Sequence, residues 1–146
     1  MVVAAMLAVL PMGVVSRAQT KTAVIVCDAA NPSIAFAATD IETALKKLGF
    51  TTRRSAPRVI PAGPDRELTI VLGIGDEGIP GAPAAAGLGP QGYVIRKNSG
   101  GAARWYAIGT DRVGAMYAGL ELAEDLDIGG AAAIRPWRRG IGEFWS

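Results

Sequence analysis

One stretch of the sequence has the spacing of a nucleotide-binding loop. Residues 73–78 read Gly-Ile-Gly-Asp-Glu-Gly, the G-x-G-x-x-G pattern that precedes a helix whose N-terminus receives the pyrophosphate of a dinucleotide. Pro80 and Pro83 fall where the interior of that helix would run, at a cost of about 3 kcal/mol each. Asp76 and Glu77 would also face the phosphates with negative charge. We interpret this stretch as a plain glycine-rich loop, expect no cofactor, and keep a nucleotide-binding domain as a distant alternative.

Other residues that could do chemistry lack suitable partners. The chain has no histidine and one cysteine, which excludes a histidine-based triad and an internal disulfide and argues against a zinc site. Cys27 lies in an apolar run and is predicted to be a small buried hydrophobe. The acidic pairs Asp125 and Asp127, and Asp76 and Glu77, are too close in sequence for their side chains to share one face of a helix. We therefore predict no catalytic residue and no metal site.

Aromatic and basic residues gather near the end of the sequence. The basic cluster at positions 135–139 is short, and 15 basic residues against 13 acidic ones leave no extended positive patch, so no nucleic-acid partner is predicted. Trp137, Phe144 and Trp145 are predicted to form a contact surface for a partner, because exposed aromatic patches usually do. A sugar-stacking platform is the alternative, since an aromatic ring can pack on the apolar face of a pyranose.

The first 18 residues have the features of a secretion signal. Residues 1–15 are almost wholly apolar, but a proline and a glycine interrupt them, and a bilayer-spanning helix needs about 20 residues. Ser16 and Ala18 are small residues at the positions that a signal peptidase recognises. We predict cleavage before Gln19, a secreted or periplasmic protein and no membrane span; a buried N-terminal strand or helix is the alternative.

Five strands are predicted from apolar, β-branched runs that end at turn residues. They cover residues 22–29, 50–56, 68–72, 92–96 and 104–108. The last two form a hairpin through the turn-like residues 98–101. Seven glycines and three prolines between positions 73 and 92 predict a long loop.

Two helices complete the pattern. The first begins at an Asn31 N-cap followed by a proline and ends at Gly49. The second is capped by Thr110 or Asp111. Its predicted buried stripe consists of Val113, Tyr117, Leu120, Ala123 and Ile128, and Glu121, Glu124 and Asp125 are predicted to face water. The order of these elements favours an α+β fold with a mixed sheet, and 146 residues suit one domain.

Three segments of the second half carry a family resemblance. They are Leu-Thr-Ile-Val-Leu-Gly at 68–73, Gln-Gly-Tyr-Val-Ile-Arg at 91–96 and Ala-Ile-Gly-Thr-Asp-Arg-Val-Gly-Ala-Met-Tyr-Ala-Gly-Leu at 107–120. In order and spacing they resemble the N-terminal domain that precedes the barrel of bacterial β-N-acetylhexosaminidases and α-glucuronidases. The resemblance covers residues 20–135. Gln91 replaces an acidic residue of the family pattern, and Val113 separates Arg112 from Gly114.

The resemblance implies a mixed sheet of about five strands with two long helices packed on one face, and no catalytic residues. It also implies a C-terminal partner, a (β/α)₈ barrel against which the domain packs. The chain then divides into a signal peptide at 1–18, an accessory α+β domain at 19–134, and at 135–146 a linker with the start of a truncated barrel. In the hexosaminidases the arginine of an Arg-Gly pair contacts sugar hydroxyls, so the resemblance implies that Arg139 binds substrate. Trp137, whose ring could stack on a sugar, is the other predicted substrate-binding residue.

The sequence thus predicts a non-catalytic accessory domain of a secreted glycoside hydrolase of polysaccharide degradation, inactive by itself, which braces the barrel that follows. An independent carbohydrate-binding module, with an oligosaccharide as its partner, is the alternative.

Overall fold

A mixed sheet forms the centre of the fold. The computed structural model describes residue 13 and residues 20–58, 60, 67–99 and 103–140, and these include six strands. The strands are β1 (Lys21–Val26), β2 (Phe50–Ser55), β3 (Leu68–Ile74), β4 (Tyr93–Lys97), β5 (Arg104–Gly109) and β6 (Trp137–Arg139). The signal peptide expected at 1–18, apart from Gly13, and the contact residues Phe144 and Trp145 lie outside the described residues.

The strand order is β2-β1-β3-β5-β4-β6. Strands β1, β2, β3 and β5 are parallel, whereas β4 runs antiparallel to both β5 and β6. The predicted α+β fold with a mixed sheet is confirmed, and β6 adds an edge strand to the five that were expected. The central strands β1 and β3 are buried along most of their length, as expected of parallel strands covered on both faces.

Helix α1 (Pro32–Lys47) forms as its sequence predicts. The side chain of Asn31 accepts hydrogen bonds from the backbone N–H groups of Ser33 (3.1 Å) and Ile34 (3.5 Å), and Gly49 follows the helix with a φ of 87°. Its buried residues repeat every three or four positions along one side. They are Ile34, Ala37, Ala38, Ile41, Ala44 and Leu45.

Helix α2 (Arg112–Gly129) packs beside α1 on the same face of the sheet, but the side that it buries differs from the predicted one. The predicted stripe is wrong for Tyr117 and Ile128, which are 41% and 74% exposed. The buried residues are mostly small: Gly114, Ala115, Ala118, Gly119, Leu122, Ala123, Asp125 and Leu126. Small residues are needed because α2 lies close to its neighbours: a Cβ at Gly119 would come within 2.7 Å of the Ala37 Cβ.

The turn between β5 and α2 is fastened to the end of the long loop. Asp111 caps α2 by accepting from the Gly114 N–H (2.8 Å), and its other oxygen accepts from the Gln91 N–H (2.8 Å). The Thr110 hydroxyl donates to the Gly89 carbonyl (2.7 Å). Gln91 has a φ of 61°, a conformation that costs most residues about 1 kcal/mol or more. The cap of α2 therefore also fixes the entry to β4.

The long loop, residues 75–92, covers the face of the sheet opposite the helices. Ile79 and Ala85 pack there in an apolar cluster that includes Val94 and Ile108. The Tyr106 hydroxyl donates to a backbone carbonyl of this loop at a distance of 3.2 Å. No helix begins in residues 75–92, so the G-x-G-x-x-G string is the end of β3 and a turn. Neither helix within the described ranges is long and apolar enough to cross a membrane.

We expect Gly114→Ala to lower the free energy of unfolding by about 1–2 kcal/mol, although alanine is favoured over glycine in a helix by about 1 kcal/mol. A Cβ at this position would overlap the carbonyl oxygen of Gly92, which cannot retreat because it accepts from the Thr110 N–H at 2.8 Å. Urea denaturation measures the change. Thr43→Ala, at an exposed position of α1, serves as the control and should not lower stability. A Gly114→Ala protein as stable as the wild type would contradict the close approach.

We expect Asp111→Asn to weaken the acid dependence of stability. Burial opposes ionisation of Asp111, but hydrogen bonds from the N–H groups of Gly114, Gln91 and Val113 outweigh it, so the pKa lies below its ordinary value of 3.8. A lowered pKa stabilises the fold above the ordinary carboxyl range, and this contribution is lost as the pH falls through the folded-state pKa. Urea midpoints from neutral to acid pH should fall less steeply for Asp111→Asn than for the wild type. An equal fall of the urea midpoint with pH in the wild type and in Asp111→Asn would refute the assignment of a lowered pKa to Asp111.

Candidate functional site

The predicted substrate-binding residues lie on the edge strand β6. Trp137 pairs with Ile95 and Arg139 with Tyr93, in antiparallel register. Trp137 is half-buried and packs against the apolar cluster on the helix side of the sheet. Residues 137–139, which the sequence analysis assigned to a linker, are thus part of the sheet; the division of the chain into domains stays a prediction.

Two arginines lie against the Trp137 ring. Arg135 and Arg139 are two residues before and after it, and their guanidinium carbons are 5.0 and 4.5 Å from the ring centroid. These are cation–π distances. A pyranose that stacked on this ring would have to displace a guanidinium group, so the geometry does not favour Trp137 as an open sugar platform.

A buried carboxylate of α2 anchors the segment that leads into β6. Asp125 is 3% exposed and accepts from the backbone N–H of Arg135 (3.1 Å) and from its guanidinium group (3.3 Å). The sequence analysis placed Asp125 in solvent on the polar side of α2, and this prediction was wrong. The partner comes from a segment beyond the helix, so helical periodicity carries no signal of it. A buried carboxylate is retained where it is paired and hydrogen-bonded, as here.

A second contact between α2 and the strands lies one helical turn earlier. The Tyr93 hydroxyl is 3.5 Å from a carboxylate oxygen of Glu121. Burial, with Glu121 adding to it and Arg139 opposing it, raises the pKa of Tyr93 to about 12. Tyr93 is therefore protonated at neutral pH and acts as a donor. Arg139, the residue predicted to contact sugar, belongs to this same cluster.

Two carboxylates, Glu121 and Asp125, bind residues that adjoin the predicted sugar-binding residues: Tyr93, which pairs with Arg139, and Arg135. Glycoside hydrolysis by the usual mechanisms needs two carboxyl groups about 5–9.5 Å apart that face the scissile bond. Here Asp125 is buried against Arg135, and Glu121 is engaged by Tyr93. Both groups hold β4 and β6 against α2. In the described part of the chain no three His, Cys, Asp or Glu residues converge as a metal site would require.

A cleft of about 340 Å³ lies at the carboxyl ends of β1 and β2 and includes Cys27, Asp28 and Arg54 in its lining. Its polar groups already have partners: Asp28 accepts from the Ala30 N–H (3.0 Å), and Arg54 pairs with Glu42 (2.9 Å). Burial raises the pKa of Cys27, which keeps the thiol protonated and poorly nucleophilic. Cys27 is buried, as predicted from the sequence.

The residues of the family-like segments therefore build the fold. Asp111 accepts hydrogen bonds from main-chain N–H groups, and Gly114 lies against the main chain of Gly92. Neither residue lines the cleft at Cys27. No model of a known protein family matches the chain, and no curated protein matches it in sequence.

Solved structures do match its fold. One is described as a GH138 enzyme targeting pectin rhamnogalacturonan II, with a TM-score of 0.56 and 19% sequence identity over 80% of this chain and 15% of that one. Another is CpGH84D, with a TM-score of 0.50 and 14% identity over 80% of this chain and 19% of that one. The present chain thus has a fold that is found as a small part of much longer glycoside hydrolase chains.

Proposed function

We propose that this chain is the non-catalytic N-terminal accessory domain of a glycoside hydrolase and that it braces the (β/α)₈ barrel that follows. The observation that carries the proposal is the partial coverage: 80% of this chain corresponds to 15–19% of two glycoside hydrolases, as one domain of a larger enzyme would. Fold alone does not fix function, so the proposal also depends on the chemistry of the site.

The chemistry of the described residues supports a structural role. Three buried or half-buried polar side chains near β6, those of Asp125, Glu121 and Tyr93, bind other parts of the same domain. A catalytic acid or base needs instead to reach a substrate proton. These residues consequently hold strands in place and have no free position for a sugar.

The way in which the chain leaves the sheet also supports a bracing role. Gly140 is buried after β6, and a Cβ there would lie 2.7 Å from the carbonyl oxygen of Leu88. Asp125 fixes Arg135 at the start of this segment, and Trp137 pairs within the sheet. The segment from Arg135 to Gly140 is therefore held by the domain itself, which suits a rigid connection better than a flexible tether.

The proposal extends to the parent enzyme. We propose that it acts on a polysaccharide, that it is secreted or periplasmic, and that Arg139 reaches a sugar hydroxyl from the junction with the barrel. The GH138 structure, whose enzyme targets a pectin, supports the polysaccharide class only by analogy. An independent carbohydrate-binding module is less well supported, because Arg135 and Arg139 lie over the Trp137 ring.

Activity and binding assays on two proteins test this function. The present chain should hydrolyse no aryl glycoside, and titration with oligosaccharides should give no saturable change in tryptophan fluorescence. The product of the complete gene should hydrolyse a glycoside. Hydrolysis by the present chain would refute the non-catalytic role. A saturable fluorescence change that Trp137→Ala abolishes, and that the buried-site control Trp105→Phe retains, would instead establish a carbohydrate-binding module.

A further inference from the structure

The outward side of α2 carries several large apolar residues beside charged ones. Six residues form what we call the outer patch: Phe36, Val113, Met116, Tyr117, Leu120 and Ile128. Phe36, Tyr117 and Ile128 are 56%, 41% and 74% exposed, and the other three are partly buried. The five residues on α2 recur at helical spacing, so they lie along one side of the helix.

The opposite side of α2 is apolar, since its small residues pack on the sheet and on α1. Exposed apolar side chains that cluster on one surface usually mark a contact site. Within the described residues, α2 is covered by the sheet and by α1, and Tyr117 and Ile128 on its outward side are exposed. The apolar stripe that the sequence predicts is thus present on α2, but Tyr117 and Ile128 in it remain exposed in this domain.

Helix α1 behaves differently and adds one member to the patch. Its outward positions are polar, for example Asp40, Thr43 and Lys47, and Phe36 is the large apolar exception. The two helices run side by side, because Ala37 meets Gly119 and Lys47 pairs with Asp127 at 3.2 Å. Phe36 therefore lies level with the first half of α2, and the patch spans both helices there.

The exit of the chain lies beside the same part of α2. Gly140 and Gly92 both pack on Leu88, and Gly92 also lies against the carbonyl oxygen of Arg139. Gly114, in the first turn of α2, packs in turn on the carbonyl oxygen of Gly92. Gly140, the last described residue, thus lies near the end of α2 at which the patch begins. The structures that share this fold are five to seven times longer than this domain, since it covers only 19% and 15% of them.

We propose that the outer patch is the docking surface for the domain that continues the same chain beyond residue 140. The inference rests on the proposed function for the identity of that domain, a catalytic barrel. Charged residues adjoin the patch: Asp40 follows Phe36 by one turn on α1, Glu124 lies between Leu120 and Ile128 on α2, and Lys47 pairs with Asp127. Such a mixture of apolar and polar groups is usual in protein interfaces.

Thiol labelling in the product of the complete gene tests the docking. Leu120→Cys and Tyr117→Cys place a thiol in the patch, and Thr51→Cys places one at an exposed position of β2, on the opposite face of the sheet. The wild type, whose Cys27 is buried, serves as the blank. We expect the patch thiols to react with a maleimide at least about tenfold more slowly than the Thr51→Cys thiol, because only an accessible thiolate reacts. In denaturant the three rates should converge.

The two proposals can fail separately. Labelling of both patch thiols as fast as the Thr51→Cys thiol, in a protein that hydrolyses a glycoside, would overturn the docking surface and leave the proposed function intact. Protected patch thiols in a protein without glycosidase activity would support the docking surface and refute the proposed function. The use of two patch positions guards against a variant that fails to fold.

Discussion

The close packing of α2 on the sheet and on α1 is the constraint on which the rest of the structure depends. Glycine and alanine at Gly114, Ala115, Ala118 and Gly119 let the helix backbone approach its neighbours, and a Cβ at Gly119 would already crowd Ala37. Close approach brings the acidic side chains of α2 within reach of β4 and β6. Leu122 and Leu126 are buried in the core, whereas Tyr117 and Ile128 lie on the outward side of the helix.

The side chains near β6 are of the types that form carbohydrate-binding sites, but they do not form such a site here. Two carboxylates one helical turn apart, a tyrosine, a tryptophan and arginines are the side chains from which carbohydrate sites are built. Here Asp125 binds Arg135, Glu121 binds Tyr93, and the tryptophan ring lies beneath guanidinium groups. The hydrogen bonds and ring contacts that would bind a sugar in an active site are here made between residues of the domain. They hold β4 and β6 in place at the edge of the sheet.

Short sequence motifs predicted those parts of the fold that are determined by interactions between residues close in sequence. Asn31 and Gly49 mark the ends of α1, β4 and β5 pair antiparallel as in the predicted hairpin, and the prolines after Gly78 agree with the absence of a helix in residues 79–92. The buried side of α2 was mistaken because periodicity identifies an apolar stripe but not what covers it. Strand β6 and the Asp125–Arg135 pair were missed because both depend on contacts between segments that no short motif records.

The late position of β6 has a consequence for synthesis on the ribosome. Strand β4 lies between β5 and β6, so its outer edge has no partner until residues 137–139 have emerged. An unpaired edge is open to wrong pairing, and nascent domains fold from the N-terminus onward. The sheet is therefore completed only after residues 137–139 have been synthesised, and the hydrogen bonds between β4 and β6 are among the last of the domain to form.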